Sequence, residues 1–168
     1  MKKPILLNPG HSDYFGTPPD AVDILLPYLD TNLPVWECAS NGQSNITRRL
    51  REEGYTVMES TEADNFLVTL PDDYCTIVTN PPFSMKERFL QRCYQLEMPF
   101  ALLMPLTALE GKVRQSMYRR YGIKLLIPNK RFNFLTPSGK GSGSWFATAW
   151  YTWGLPLPDS LTFVEVSI

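Results

Sequence analysis

The sequence predicts an α/β fold built on a mainly parallel seven-stranded sheet, with an antiparallel strand at its C-terminal end and helices on both faces. Two observations lead to this prediction. Strand-type segments alternate with helix-type segments along the 168 residues, as expected for strands joined by helical crossovers. The composition, 43% hydrophobic and 20% charged, is that of a globular chain long enough to bury one core. We therefore expect residues 1–168 to form a single domain.

Seven short segments rich in β-branched, aromatic or other apolar residues predict the strands. In chain order these are 35–38, 55–58, 76–79, 100–104, 125–127, 145–153 and 162–166. The clearest is Thr-Ile-Val-Thr at 76–79. It must end before Pro81, because two successive prolines cannot continue a hydrogen-bonded ladder in a central strand.

Four segments have apolar residues three and four positions apart and predict helices. In chain order they are 18–29, 45–53, 85–96 and 110–121. Pro19 marks the first helix, because proline is tolerated in a first turn. Gly54 marks the end of the second, because glycine readily takes the left-handed conformation that follows a helix. The glycine- and serine-rich segment 137–144 predicts a flexible loop.

The three cysteines, Cys38, Cys75 and Cys93, match neither a disulfide framework nor a zinc pattern. Cys38 and Cys75 lie in apolar, strand-like runs, so we expect buried free thiols. The single histidine, His11, rules out any mechanism that needs two histidines. Together these residues predict no metal site.

The N-terminal apolar stretch at 4–7 is too short for a signal peptide and has no small-residue cleavage site. No apolar run approaches the ~20 residues that a membrane helix needs. We therefore expect a cytoplasmic chain that does not contact a membrane.

The charges are distributed unevenly, although the net charge is only −1. No Asp or Glu occurs from 111 to 158. Because this segment holds only basic charges, it predicts one positive face of the protein. Its basic residues are Lys112, Arg114, Arg119, Arg120, Lys124, Lys130, Arg131 and Lys140. The alternative is that these residues are scattered around a helix and two strand ends.

Ligands of open α/β sheets bind beyond the carboxyl ends of the strands, so the residues after each predicted strand are candidates. The first strand leads into a small polar turn, and the second ends at Glu59, an acid suited to ribose hydroxyls. Asp64 and Asn65 follow, with side-chain oxygens that can accept from an adenine amino group. The competing interpretations are a solvated strand end for Glu59 and a local turn cap for Asp64.

The third strand is followed by Asn80-Pro81-Pro82-Phe83. The two prolines stiffen the backbone, Asn80 adds a side-chain carbonyl, and Phe83 adds a flat apolar face. Such a tetrapeptide can bind a planar amine through two acceptors and one stacking ring. The competing interpretation is a plain proline turn with Phe83 in the core.

These four residues resemble the signature that ends the fourth strand of Rossmann-like amino-methyltransferases. The chain as a whole is similar to the small adenine-N6 DNA methyltransferases of bacteriophages and prophages. The resemblance covers almost the whole chain in the family's order, at 13–18, 36–39, 79–84, 103–111 and 145–153. One departure is that Gly42 stands alone in a turn where the family usually has two glycines. Phe83 replaces the commoner Tyr, which preserves stacking.

The resemblance implies a class I, Rossmann-like methyltransferase that uses S-adenosyl-L-methionine and has no separate target-recognition domain. It implies a phage or prophage origin and a bacterial host cytoplasm. The implied cofactor-binding residues are Tyr14, Thr17, Pro18, Glu37, Ala39, Ser40, Asn41, Gly42, Glu59, Asp64, Asn65 and Phe66. The implied catalytic residues are Asn80, Pro81, Pro82 and Phe83.

The expected reaction is methylation of adenine N6 in DNA, with the base flipped out of the duplex and stacked on Phe83. Asn80 and the Pro81 carbonyl would accept from the amino group, and Lys130, Arg131 and Lys140 would contact phosphates. Three alternatives stay open. The acceptor could be adenine in RNA or a protein glutamine amide, although the basic segment disfavours glutamine. The chain could also be a catalytically silent module that binds nucleic acid or a partner, as the altered glycine turn would allow.

Overall fold

The computed structural model describes residues 16–40, 42, 44–61, 65–134 and 146–166. Seven strands among them form one sheet: β1 Val35–Glu37, β2 Val57–Glu59, β3 Thr76–Thr79, β4 Phe100–Pro105, β5 Lys124–Pro128, β6 Thr148–Trp153 and β7 Leu161–Val164. The α-helices of this part are α1 Pro19–Asp23, α2 Asn45–Glu52, α3 Lys86–Leu96 and α4 Lys112–Tyr121. Short 3₁₀ turns lie at Leu26–Tyr28, Phe83–Met85 and Leu106–Leu109.

The strand order across the sheet is β2-β1-β3-β4-β6-β5-β7. Strand β6 is antiparallel to both of its neighbours, β4 and β5, and every other pairing is parallel. The carboxyl ends of β1 to β5 therefore lie at one edge of the sheet, which we call the carboxyl edge. The predicted mainly parallel sheet with a late antiparallel strand is confirmed; that strand is β6, and β7 lies parallel to β5.

Both faces of the sheet are covered, because successive side chains of a strand point to opposite faces. On one face α1 and α2 pack over Val78 of β3 and Trp150 of β6. On the other face α3 and α4 pack over Ile77 and Tyr151. The predicted helices on both faces are confirmed.

The predicted helix at 18–29 is shorter in the structure. An α-helix forms only at Pro19–Asp23, and a 3₁₀ turn follows at Leu26–Tyr28. Pro27 has no N–H to donate and disfavours the α conformation of the residue before it. The apolar spacing that continues to Leu29 therefore belongs to a turn that still packs on the core.

The other predicted helices and strands match the structure to within a few residues. The strand predicted at 145–153 is described from residue 148 onward, and the predicted loop at 137–144 lies outside the described residues. All three cysteines are buried free thiols, as predicted for Cys38 and Cys75. Burial raises the pKa of Cys75 to about 11. Within the described ranges, no helix has the length and apolar character needed to cross a membrane.

Candidate active site

Glu37, at the end of β1, is the centre of a polar network at the carboxyl edge. Its side chain is buried, with a relative exposure of 3%. The carboxylate accepts hydrogen bonds from the Thr79 hydroxyl, from the Ala39 N–H at 3.1 Å and from the Ser44 hydroxyl at 2.8 Å. Burial raises the pKa of the Glu37 carboxyl, although these three bonds act in the opposite direction. Glu37 thus joins the turn after β1 to the end of β3.

The turn after β1 also bonds to the end of β2. The Ser40 hydroxyl donates to the Glu59 carboxylate and accepts from the Gly42 N–H at 3.0 Å. Gly42 has a φ of +91°, and a Cβ placed there would meet no atom within 4 Å. Asn41 lies outside the described residues.

A cleft of about 280 Å³ opens beside Glu59. Its lining residues are Trp36, Met58, Glu59, Ser60, Thr69, Leu70, Pro71 and Asp72. The indole Nε1 of Trp36 donates to the Ser60 hydroxyl at 2.8 Å, which holds the ring against this wall. The cleft thus brings two carboxylates, those of Glu59 and Asp72, beside the almost fully buried Trp36. The sequence did not indicate Asp72, because it lies in a loop with no strand end beside it.

Among the described residues implied for the cofactor, Glu59 alone lines this cleft. Asn65 is exposed, and its side-chain oxygen accepts from the Leu67 N–H at 3.1 Å, so it closes a local turn. Phe66 is buried against Trp36 and Phe89 in the core. Asp64, the other candidate for the adenine-contacting acid, lies outside the described residues, as does Tyr14.

The tetrapeptide after β3 lies at the same edge, one residue beyond the Glu37 contact. Pro81 and Pro82 are buried, whereas Asn80 and Phe83 are half-buried. The Pro82 carbonyl accepts from the Met85 N–H at 2.9 Å, which ties it into the turn before α3. The expected acceptors are the Asn80 side chain and the Pro81 carbonyl.

Phe83 takes part in an aromatic cluster that the sequence did not predict. Its ring meets Phe146 edge to face at a centroid distance of 5.2 Å, and Phe146 stacks on Phe134 at 6.1 Å. The cluster joins the segments after β3, after β5 and before β6. Phe83 is thus neither fully in the core nor isolated on the surface.

The residues expected at the methionine end of the cofactor lie beside the tetrapeptide. Thr17 is buried and its hydroxyl accepts from the Asn80 side-chain amide at 3.2 Å. Pro18 is half-buried and is the N-cap residue of α1.

The basic residues of 111–158 divide between the two ends of β5. Lys130 and Arg131 follow its carboxyl end and are exposed. Lys130 lies 3.6 Å from a carboxylate oxygen of Asp20. Arg119 and Arg120 end α4, just before β5 begins at the opposite edge. The described residues therefore do not form the single positive face that the sequence suggested. Lys140 lies outside them.

Metal ligands do not come together in the part of the chain that the structure describes. No group of three His, Cys, Asp or Glu side chains there could hold a metal ion.

Comparison with known proteins gives a structural likeness without a sequence match. No protein-family model and no curated protein matches the chain. A type I restriction enzyme modification subunit from Vibrio vulnificus YJ016 superposes with a TM-score of 0.54 at 10% identity. The alignment covers 92% of this chain and 47% of that subunit, so the chain spans about half the subunit's length.

Two further solved structures align with a TM-score of 0.45 each. The 23S rRNA methyltransferase ErmE is 14% identical over 82% of this chain and 68% of its own. A predicted O-methyltransferase, protein Atu636 from Agrobacterium tumefaciens, is 9% identical over 89% of this chain and 86% of its own. The sheet order and the likeness to the modification subunit together define the fold as the Rossmann-like methyltransferase fold.

Proposed function

We propose that the chain is an S-adenosyl-L-methionine-dependent methyltransferase that methylates N6 of adenine in DNA. One observation carries this proposal. Asn80-Pro81-Pro82-Phe83 follows β3 at the carboxyl edge, and Glu37 bonds the neighbouring Thr79 to the turn after β1. Ser40 of that turn donates to Glu59, which lines the cleft. An amine-binding tetrapeptide and a nucleoside-sized cleft thus share one polar network.

The residues of the cleft fit the nucleoside part of the cofactor. Glu59 can accept from ribose hydroxyls, and Asp72 can accept from an exocyclic amino group. The small, left-handed turn at Gly42 lets the backbone approach a ligand closely. The bound cofactor would supply an electrophilic methyl group on a sulfonium centre.

The tetrapeptide would prepare the acceptor amine. The lone pair of an aromatic amine is delocalised into its ring, which makes the nitrogen a poor nucleophile. Hydrogen bonds from its two N–H groups to the Asn80 side chain and the Pro81 carbonyl favour a tetrahedral nitrogen with a localised lone pair. The Asn80 Oδ1 and the Pro81 carbonyl would not remove a proton before the attack. The methylated nitrogen would carry a positive charge as the cofactor's sulfonium becomes a neutral thioether, and it would then release one proton to solvent. Phe83 would stack on the base, which in a duplex must first flip out.

Lys130, Arg131 and Lys140 are the proposed phosphate contacts. Lys130 and Arg131 are exposed at the carboxyl edge, on the side where the tetrapeptide lies. The Lys130–Asp20 pair is partly exposed, with its charged atoms 3.6 Å apart, and is thus weak enough for Lys130 to exchange Asp20 for a phosphate.

The identity of the methylated nucleoside tests the proposal. The chain would be incubated with methyl-labelled cofactor and either duplex DNA or RNA of the same sequence, and the products digested to nucleosides. We expect the label in N6-methyl-deoxyadenosine from DNA. Label in RNA alone would mean that the acceptor is adenine in RNA instead of DNA. Cofactor binding measured by calorimetry, without transfer to any acceptor, would mean that the chain is a catalytically silent module.

A further inference from the structure

A hydrogen bond joins the segment before α1 to the proposed catalytic motif. The Asn80 Nδ2 donates to the Thr17 hydroxyl oxygen at 3.2 Å, across 63 positions of sequence. Thr17 is 4% exposed, so water does not compete strongly for its hydroxyl. No sequence pattern links these two residues, and the resemblance implied only a cofactor contact for Thr17.

The direction of this bond matters because the two ends of an asparagine side chain are chemically opposite. Nδ2 can only donate hydrogen bonds, and Oδ1 can only accept them. An acceptor amine presents N–H groups, so it needs Oδ1. If the Asn80 carboxamide were turned by 180°, its own N–H groups would face the N–H groups of the acceptor amine, and no hydrogen bond could form between them. In the structure Nδ2 donates to Thr17, so Oδ1 is directed away from Thr17.

Thr17 is well placed to hold Asn80 because its own backbone is anchored. Pro18 fixes an extended backbone with φ −71° and ψ 150°, and α1 begins at the next residue. The Ala21 carbonyl accepts from the buried indole Nε1 of Trp150 at 2.7 Å, which ties α1 to β6 in the centre of the sheet. On the other side of Asn80, Thr79 is bonded to Glu37.

We propose that Thr17 is a positioning residue whose hydroxyl holds the Asn80 side chain in place, with Oδ1 facing the acceptor amine. The inference rests on the proposed function, and it gives Thr17 a role in turnover in place of cofactor affinity.

Three variants separate these roles. Thr17→Val removes the hydroxyl with little change in volume, and Thr17→Ser keeps it. Thr76→Val is the matched control: Thr76 is equally buried, lies at the other end of β3, and its hydroxyl has no hydrogen-bond partner among the described residues. Each would be compared with the wild type in kcat at saturating cofactor and DNA, and in cofactor Kd by calorimetry.

Thr17→Val should lower kcat about tenfold, the loss expected for one neutral hydrogen bond. Its cofactor Kd should stay within about twofold of the wild type. Thr17→Ser should restore most of kcat, and Thr76→Val should leave both quantities unchanged. A raised Kd with an unchanged kcat for Thr17→Val would overturn the inference and return Thr17 to the cofactor site.

A second readout does not depend on turnover. In protein labelled with ¹⁵N-asparagine, the Asn80 side-chain amide signal can be assigned by its loss in Asn80→Ala. That signal should shift in Thr17→Val and return close to its wild-type position in Thr17→Ser. An unchanged signal in Thr17→Val would refute the inference even in an active enzyme. Absence of transfer by the wild type would instead refute the proposed function.

Discussion

At the scale of single residues, burial and hydrogen bonding act in opposite directions on the pKa of Glu37. Its carboxylate is buried, which disfavours the charged form, yet it accepts three hydrogen bonds, which favour it. Burial is the larger influence, and the pKa is raised above its ordinary value of 4.5. The folded protein therefore holds the Glu37 proton to a higher pH than the unfolded chain does.

This raised pKa predicts how stability depends on pH. The stabilisation that comes from protonated Glu37 is complete below pH 4.5 and is lost as the pH rises through the folded-state pKa. Glu37→Gln cannot titrate. The unfolding free energy of the wild type relative to this variant should therefore fall with rising pH, by at most about 1.4 kcal/mol per pH unit.

Urea unfolding of both proteins between pH 4 and pH 8 measures this difference, because all other titrating groups are shared. A difference that rises with pH would mean that the three hydrogen bonds outweigh burial.

At the scale of elements, the turn after β1 lies on the proposed cofactor side of the site. Gly42 and Gly54 both have φ near +90°, and a Cβ at either would meet no atom within 4 Å. An alanine at either position is thus strained by its backbone alone, at a cost of about 1–2 kcal/mol. Gly54 follows α2 and precedes β2, at the edge of the sheet opposite the site.

Gly42→Ala and Gly54→Ala therefore form a matched pair. Both should lower stability by a similar amount, but only Gly42→Ala should weaken cofactor binding, by about tenfold, because its turn holds Ser40 against Glu59. Calorimetry with S-adenosyl-L-methionine measures both affinities. If the two variants bound S-adenosyl-L-methionine with equal affinity, the Gly42 turn would not be part of the cofactor site.

The elements also indicate how far the sequence alone predicts the structure. Strand β3 could be located because its residues are β-branched and Pro81 must end it. The tetrapeptide could be found because its residues are contiguous. The bond from Asn80 to Thr17 and the contact of Phe83 with Phe146 could not, because they join segments far apart in sequence. Such contacts depend on the strand order, which local patterns do not encode.

At the scale of the whole molecule, the division of basic residues between the two edges predicts where nucleic acid binds. Each phosphate that the protein neutralises should make log affinity fall with log salt by ~0.9 on duplex DNA. Lys130→Ala/Arg131→Ala removes charges at the carboxyl edge and should flatten this slope by about 0.9 for each phosphate that is no longer bound. It should weaken all sequences about equally, since phosphates carry no sequence information.

Arg119→Ala/Arg120→Ala is the control, because it removes the same number of charges at the end of α4. Its salt slope should equal that of the wild type in titrations of one oligonucleotide at several salt concentrations. If both double variants flatten the slope alike, binding follows net charge and the carboxyl edge is not the nucleic-acid surface.

Asn80→Ala tests most directly whether the tetrapeptide after β3 activates the acceptor amine. Asn80 is proposed to act on the amine in the transition state, so its loss should abolish methyl transfer while cofactor affinity stays within a few-fold of the wild type. Transfer of labelled methyl to adenine-containing duplex DNA and calorimetric Kd would be measured on the same preparations. A variant that turns over at the wild-type rate would contradict the proposed role of Asn80 and the mechanism built on it.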